Sequence, residues 1–281
     1  MADELFLRDD LAEAWQGRDP FAEAFSLQGV AVRDVASRST VRVRIGQGWF
    51  YAKRHGGVGW AEILKSLLQL KRPVLGASNE YRACRLLASR GLSTLSVAGY
   101  GCRGSNPAAR LSFLITDELA PVQSLEQYCL RWPEQPPDIL LKRALIERVA
   151  RIARDMHGAG VNHQDFYICH LLLLHPERLS AASAPQAPIY VVDLHRAEMR
   201  GTVPARWLLK DLAALHYSTL HLPLTRRDVL RFLRTYYGRP LREILGPSAS
   251  FLAKVEARAR GLYRKAQRKQ ILARQLAGLE P

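Results

Sequence analysis

The spacing of hydrophobic and polar positions changes part-way along the chain. Val41-Arg42-Val43-Arg44-Ile45 alternates apolar and basic, the period of a strand with one face buried. Gly46-Gln47-Gly48 supplies a turn, and Trp49-Phe50-Tyr51-Ala52-Lys53 a second strand. Alternation across the pleat puts Trp49, Tyr51 and Lys53 on one face. An ammonium therefore ends a mostly apolar row, either as an edge charge or as a group aimed into a cleft. A helix is predicted over 78–90, with Ser78-Asn79 as capping side chains, an apolar stripe of Tyr81, Cys84 and Leu87-Ala88, and Gly91 as its stop. Glu80 falls in its first turn, where a carboxylate suits the helix dipole. Residues 111–116 predict a buried strand ending at Asp117-Glu118-Leu119-Ala120-Pro121.

Beyond that point the period is helical. Leu141, Leu145, Val149, Ile152 and Met156 form an amphipathic stripe that stops at Gly158. Val161-Asn162-His163-Gln164-Asp165 follows, then an apolar run to Leu174, a small-residue and proline loop over 180–188, and a strand from Ile189 to Asp193. Helices are predicted around 207–220, 225–237 and 249–277. Strands with one helix, then mostly helices around a β-ribbon, indicate an α+β bilobal protein with a small β-rich N-lobe and a larger helical C-lobe. The expected divisions are an acidic segment over 1–24, an N-lobe over 25–120 and a C-lobe over 121–281. The C-lobe would carry a polar loop at 161–170, a strand end at 189–196 and a basic helix at 249–277.

Composition narrows the class. A 281-residue chain that is 48% hydrophobic and 24% charged is not intrinsically disordered. No stretch approaches the roughly 18 apolar residues of a membrane span. The acidic start MADELFLRDDLAEAW lacks the order of a secretory leader. Cys84, Cys102, Cys129 and Cys169 are too scattered for a disulfide framework or zinc site. A soluble, reduced, cytosolic protein is expected. The net charge is +15, and residues 226–274 hold fourteen bases against three acids, so most of the excess lies in the last fifth of the chain. Such clustering suits an anionic partner, although a solvated helical face has the same composition.

Four polar residues stand out by order and context: Lys53 on a strand, Glu80 early on the next helix, Asp165 in a His-x-Asp loop, and Asp193 at a strand end. Singly, each reads as a surface lysine, a capping glutamate, a turn aspartate and a strand-end aspartate. Together they are the constellation of protein-kinase-like phosphotransferases. There, lysine neutralises nucleotide phosphates, glutamate fixes the lysine, one aspartate orients or deprotonates the acceptor hydroxyl, and the other holds Mg²⁺. No G-x-G-x-x-G precedes Lys53, so phosphate cover must come from other backbone. His170 stands where that motif has a metal-binding asparagine; contact with phosphate, orientation of Asp165 and weak metal binding are all open to it. Leu194-His195-Arg196 follows Asp193, so activation-loop switching is not implied.

The strings YAKRHGGVGWAEILKSLL (51–68), LKRPVLGASNEYRA (70–83), RGSNPAA (103–109), MHGAGVNHQDFYICHLLL (156–173), VVDLHRAEMR (191–200) and RWLLKDLAALHYS (206–218) resemble the lipopolysaccharide core heptose kinase family (WaaP/RfaP) over about residues 25–240. The resemblance implies an ATP- and Mg²⁺-dependent kinase of protein-kinase-like fold. Its acceptor would be the 4-hydroxyl of heptose I of the inner core, on the cytoplasmic face of the inner membrane. It implies Asp165 as catalytic base, Lys53 and Glu80 as the phosphate-positioning pair, and Asp193, with His170 as a further candidate, as metal ligand. Backbone near Glu118-Leu119 would meet adenine, His163 would prop the loop, and Asp211 would brace it. Gln164, where the family commonly has arginine, and Phe166 depart from the pattern.

The lipopolysaccharide core and the inner leaflet are both anionic, matching the basic C-terminus. Lys254–Arg274 interleaves eight bases with Leu252, Val255, Leu262, Tyr263, Ile271 and Leu272 at its edges and within it. Three readings fit: an interfacial helix, a solvated helix packed on the helical lobe, or a docking site for an acidic protein such as acyl carrier protein. A kinase for a neighbouring Kdo-type sugar or another small molecule is the alternative enzyme. A basic nucleic-acid-binding or membrane-binding scaffold is the non-enzyme alternative, but recognition signatures for nucleic acid are missing, so no nucleic-acid partner is expected.

Overall fold

A computed structural model of the protein describes residues 3–35, 38–68 and 73–276. The chain forms two compact units, one comprising Met1–Ala120 together with Val192–Ala197 and the other Pro121–Val191 together with Glu198–Pro281.

The first unit contains β1 (Glu4–Leu7), α1 (Asp9–Ala14), α2 (Pro20–Ser26), β2 (Val30–Val35), β3 (Arg38–Ile45), β4 (Gly48–His55), α3 (Gly59–Leu68), α4 (Ser78–Ser89), β5 (Val97–Arg103) and β6 (Leu111–Asp117). The strands form one antiparallel sheet in the order β1-β5-β6-β4-β3-β2. The pleat sorts its side chains. Val41, Val43, Phe50, Ala52, Phe113 and Ile115 join Leu11, Trp15 and Phe21 of the α1–α2 segment in one buried cluster. Phe21 and Trp15 meet Phe113 edge-on, with ring centres 5.2 and 6.3 Å away. The acidic 1–24 segment is thus an edge strand plus the cover of one sheet face. Its acids lie outside while Leu11, Trp15 and Phe21 supply the apolar payload.

On the opposite face Tyr100 and Leu114 are buried with Ala77 and Cys102. Tyr81 of α4 stacks on Tyr100 at 4.0 Å with an interplanar angle of 6°. Lys53 is paired across the ladder with Leu114, and so points to the α4 face. The N-terminus of α4 corrects the capping expectation. Ala77 is the N-cap, and no side chain caps the helix. Ser78 instead lies 2.8 Å from the Tyr100 hydroxyl, and the Asn79 amide is used elsewhere.

The second unit contains β7 (Val122–Ser124), α5 (Leu125–Tyr128), α6 (Ile139–Gly158), β8 (Val161–Asn162), β9 (Leu171–Leu174), β10 (Ile189–Val191), β11 (Glu198–Met199), α7 (Ala205–Thr219), α8 (Arg226–Tyr237), α9 (Leu241–Leu245) and α10 (Ala249–Leu276). Small ribbons β10-β9-β7 and β11-β8 sit among the helices. Helix α6 buries Leu145, Val149, Ile152 and Met156 of its stripe. Its buried Lys142 pairs with Asp228 at 3.0 Å, and Asp228 also closes the capping box of α8 with Thr225. Helix α10 lies on α7, tied by His216 Nε2 to Glu256 at 2.5 Å. The expected helix end at Ala277, and the side chains of Ile271, Leu272 and Arg274, lie outside the described residues.

Candidate active site

In the first unit, the sheet and α4 build a charged corner. Lys53 Nζ donates to Glu80 Oε1 at 2.5 Å, and the Glu80 side chain is only 2% exposed. A buried carboxylate requires a partner of opposite charge, and here the sheet supplies one. One residue earlier, Asn79 Nδ2 donates to the carbonyls of His195 (3.0 Å) and Ala197 (2.5 Å). These bonds anchor the turn that begins at Asp193, whose backbone is left-handed at φ +61°, ψ +47°. Aspartate tolerates that conformation better than most residues, but it still needs the surroundings to hold it. His195 Nδ1 lies 2.5 Å from Asp193 Oδ1. Lys53, Glu80 and Asp193 therefore belong to one unit, with Asn79 as the link that sequence spacing misassigned to a cap. No motif marks it beyond its place beside Glu80.

Glu118 is also fixed from this sheet face. Arg42 Nε and Nη2 grip its carboxylate at 2.7 and 2.9 Å, holding its pKa below the usual range. The same guanidinium lies 4.0 Å from the centre of the Trp49 ring. The Glu118 N–H donates to the Trp49 carbonyl at 2.9 Å, so that donor is already used within the sheet. Leu119 beside it is half-buried. His55, at the end of β4, is 4% exposed. Burial, with Arg38, Lys53 and His195 nearby, lowers its pKa to about 4.

In the second unit the loop after β8 is held from beneath. Asp211, fully buried on α7, accepts from the N–H of His163 (2.7 Å, Oδ2) and of Gln164 (2.8 Å, Oδ1). His157 Nε2 is 3.4 Å from Oδ2, and its Nδ1 meets the Tyr236 hydroxyl at 2.8 Å. Gln164 takes a left-handed φ of +73°, a conformation a β-carbon makes costly. Its N–H bond to Asp211, and Lys210 Nζ on its side-chain oxygen at 3.1 Å, keep it there.

The half-exposed Asp165 follows, and its backbone carbonyl accepts from Tyr167 N–H at 2.9 Å and His170 Nδ1 at 2.7 Å. The His170 ring stacks parallel to that of buried His163, 5.5 Å between centres. The Nδ1 contact ties His170 to the backbone of Asp165, and the other two openings, phosphate and metal, fall to its Nε2. Phe166 is fully buried between the His163 and His157 rings and pins the loop's far side. Upstream, Gly160 admits no side chain: a Cβ there would lie 1.8 Å from the Arg200 carbonyl oxygen. That close approach lets β8 pair with β11.

A buried lysine–glutamate pair on a β-sheet unit, and a His-x-Asp loop braced by a buried aspartate in a helical unit, suit phosphoryl transfer, and the chain is a kinase, an ATP-using phosphotransferase with a hydroxyl acceptor. Residues 22–236 match the Lipopolysaccharide kinase (Kdo/WaaP) family, and the chain belongs to that family. It is 49% identical over 264 residues to the lipopolysaccharide core heptose(I) kinase WaaP of Pseudomonas aeruginosa, covering 94% of this chain and 97% of that one. It is 43% identical over 263 residues to the protein of the same name from Escherichia coli K12, covering 94% and 98%. A solved structure of WaaP in complex with acyl carrier protein is similar with a TM-score of 0.81 and 45% identity, covering 92% of this chain and 99% of that one.

Two outcomes follow from this geometry. Asp211→Asn leaves an amide facing one of two loop N–H donors. It is expected to cost about 1–3 kcal/mol in urea unfolding and to lower phosphoryl transfer at least tenfold, about 1.4 kcal/mol of barrier. His55 stays neutral in the fold while the unfolded chain protonates it near 6.5. Its contribution is therefore present above about pH 6.5 and is lost as pH falls towards 4, by about 3 kcal/mol in all. Unfolding curves of His55→Gln at pH 7 and about pH 4.5 should show that part of the pH dependence removed.

Proposed function

We propose that this chain transfers the γ-phosphate of ATP to the 4-hydroxyl of heptose(I) in the lipopolysaccharide inner core, working on the cytoplasmic face of the inner membrane. The observation that carries the acceptor is likeness to heptose(I) kinases along 94% of the chain. Among the described residues no helix is long and apolar enough to cross a membrane, consistent with a peripheral association.

In this reading Lys53, held straight by Glu80, places its ammonium against the nucleotide α- and β-phosphates. Backbone beside Leu119 meets the adenine edge, since the Glu118 N–H is committed to Trp49. Asp165 receives the proton of the attacking hydroxyl. Its position is set through its own carbonyl by His170, and through the preceding N–H groups by Asp211. The donor set suits a hard cation that arrives with phosphates. Asp193 offers a carboxylate 37% exposed, and among the described residues no three His, Cys, Asp or Glu side chains form a cage of their own. Mg²⁺ held at Asp193 would offset charge on the phosphate oxygens. His170 positions Asp165 through its Nδ1, and its Nε2 is the further candidate ligand for the cation.

An acyl carrier protein is the proposed protein partner. Over its described length, α10 turns Lys254, Arg258, Arg260, Arg264, Lys265, Arg268 and Lys269 to solvent, while Val255 and Ala259 are buried and Leu252 and Leu262 half-buried. The apolar stripe is thus largely used within the fold, and the basic face remains for an acidic protein. The same unit holds a partly open apolar cavity of about 260 Å³ lined by Leu145, Val149, Leu212, Leu215, Phe232 and Val255 among others. An acyl chain is an apolar ligand suited to such a lining.

Asp165→Asn should abolish phosphate transfer to dephosphorylated core while leaving the unfolding midpoint near wild type. Mass analysis of core oligosaccharide from complemented cells reads this directly, and full phosphorylation would remove Asp165 from the mechanism. Reversing Arg258, Arg264 and Lys265 to Glu should weaken capture of acyl carrier protein at least tenfold. Wild-type capture should itself decline steeply with added salt. Capture indifferent to both would exclude this face.

A further inference from the structure

Helix α3 carries large apolar side chains that the fold leaves outside. Ile63 alone among its residues is buried; Trp60, Leu64, Leu67 and Leu68 are 56%, 55%, 52% and 86% exposed. Their spacing of i, i+4, i+7 and i+8 puts them on one face, with Glu62 and Lys65 paired at 3.4 Å on the other. Scattered exposed leucines are ordinary on a protein surface, whereas four large apolar groups side by side mark a contact surface.

The helix is seated at its start. The Gly59 N–H donates to the Ala108 carbonyl at 2.9 Å, and Gly57, at φ +89°, sits where a Cβ would come within 2.8 Å of that oxygen. A ten-residue helix does not persist in water on its own propensity. With one buried side chain inward, its outer face needs something apolar to rest on.

We propose that α3 is a membrane-contact foot whose Trp60–Leu68 face lies in the interface of an anionic bilayer. The proposal rests on the membrane-side reading above and says which surface meets the lipid. Three observations favour a bilayer over a protein. The proposed acceptor is a lipopolysaccharide, whose lipid end sits in a bilayer. Over its described side chains, the other candidate for lipid contact, α10, has Val255 and Ala259 buried and Leu252 and Leu262 half-buried within its own unit. Finally, the face combines tryptophan with leucines, and the chain continues as Leu68-Gln69-Leu70-Lys71-Arg72. Leucines and a tryptophan on a helix that is followed in sequence by Lys71 and Arg72 suit an anionic lipid interface.

The test uses the full chain with vesicles of phosphatidylethanolamine and phosphatidylglycerol, measured by co-sedimentation. Leu64→Asp with Leu67→Asp should lower vesicle partition about tenfold or more and raise KM for lipopolysaccharide embedded in vesicles. Turnover of deacylated, water-soluble core should stay at the wild-type value. That second substrate separates a lost foothold from a lost fold, and Trp60→Ser, at a site already exposed, gives a milder variant expected to act in the same direction. If the wild type ignores vesicles, the membrane-side reading itself fails. If it binds and the aspartate variants bind equally, α3 is not the foot. Variants that change only the sedimentation mass would make the face a contact between two copies, which also overturns the proposal.

Discussion

Two adjacent side chains at the start of α4 hold the first unit's half of the chemistry in place. Glu80 is buried and satisfied by Lys53 from β4, while Asn79 donates to the carbonyls of His195 and Ala197. A carboxylate so far from water cannot lose its ammonium without a cost of several kcal/mol. The pair therefore fixes the lysine as firmly as it fixes the helix. Tyr81, next along, stacks on Tyr100 of the sheet and sets the register of the helix against it. A shift of α4 would disturb Lys53 and the turn carrying Asp193 together.

The second unit meets the same need with a different device. Its loop has no regular structure to satisfy the N–H groups of His163 and Gln164, and both residues are buried. Asp211 supplies both acceptors from one side chain, which is why a fully buried acid is tolerated on α7. The left-handed backbone at Gln164 and the stacked His163–His170 pair then set where Asp165 emerges. Rigid support of this kind matters because phosphoryl transfer depends mainly on positioning and charge.

Charge and apolar exposure divide the remaining surface into distinct tasks. Over its described side chains, α10 turns a basic face to solvent and packs Val255 and Ala259 inward. Helix α3 has the reverse character, with little net charge and four large apolar side chains outward. An acidic protein and a lipid surface ask for those two kinds of face respectively, and neither face includes Lys53, Glu80, Asp165 or Asp193.

The sequence alone determined the element types with the clearest periods. The β3–β4 alternation, the α6 stripe and the buried β6 run each repeat a local pattern that one element geometry satisfies. It also marked Lys53, Glu80, Asp165 and Asp193, whose charges in that order suit phosphate chemistry, while Asp211 entered only through the resemblance to the kinase family. Weak or non-repeating segments were not legible: β1, α1 and α2 read only as an acidic stretch, and α3 went unread. Tertiary structure decided what Asn79 is for, since one amide serves equally as a cap or as a clamp on a distant turn. It also decided whether apolar stripes are covered. The patterns in α3 and α10 look alike along the chain, and only packing against α7 buries one while the other stays open.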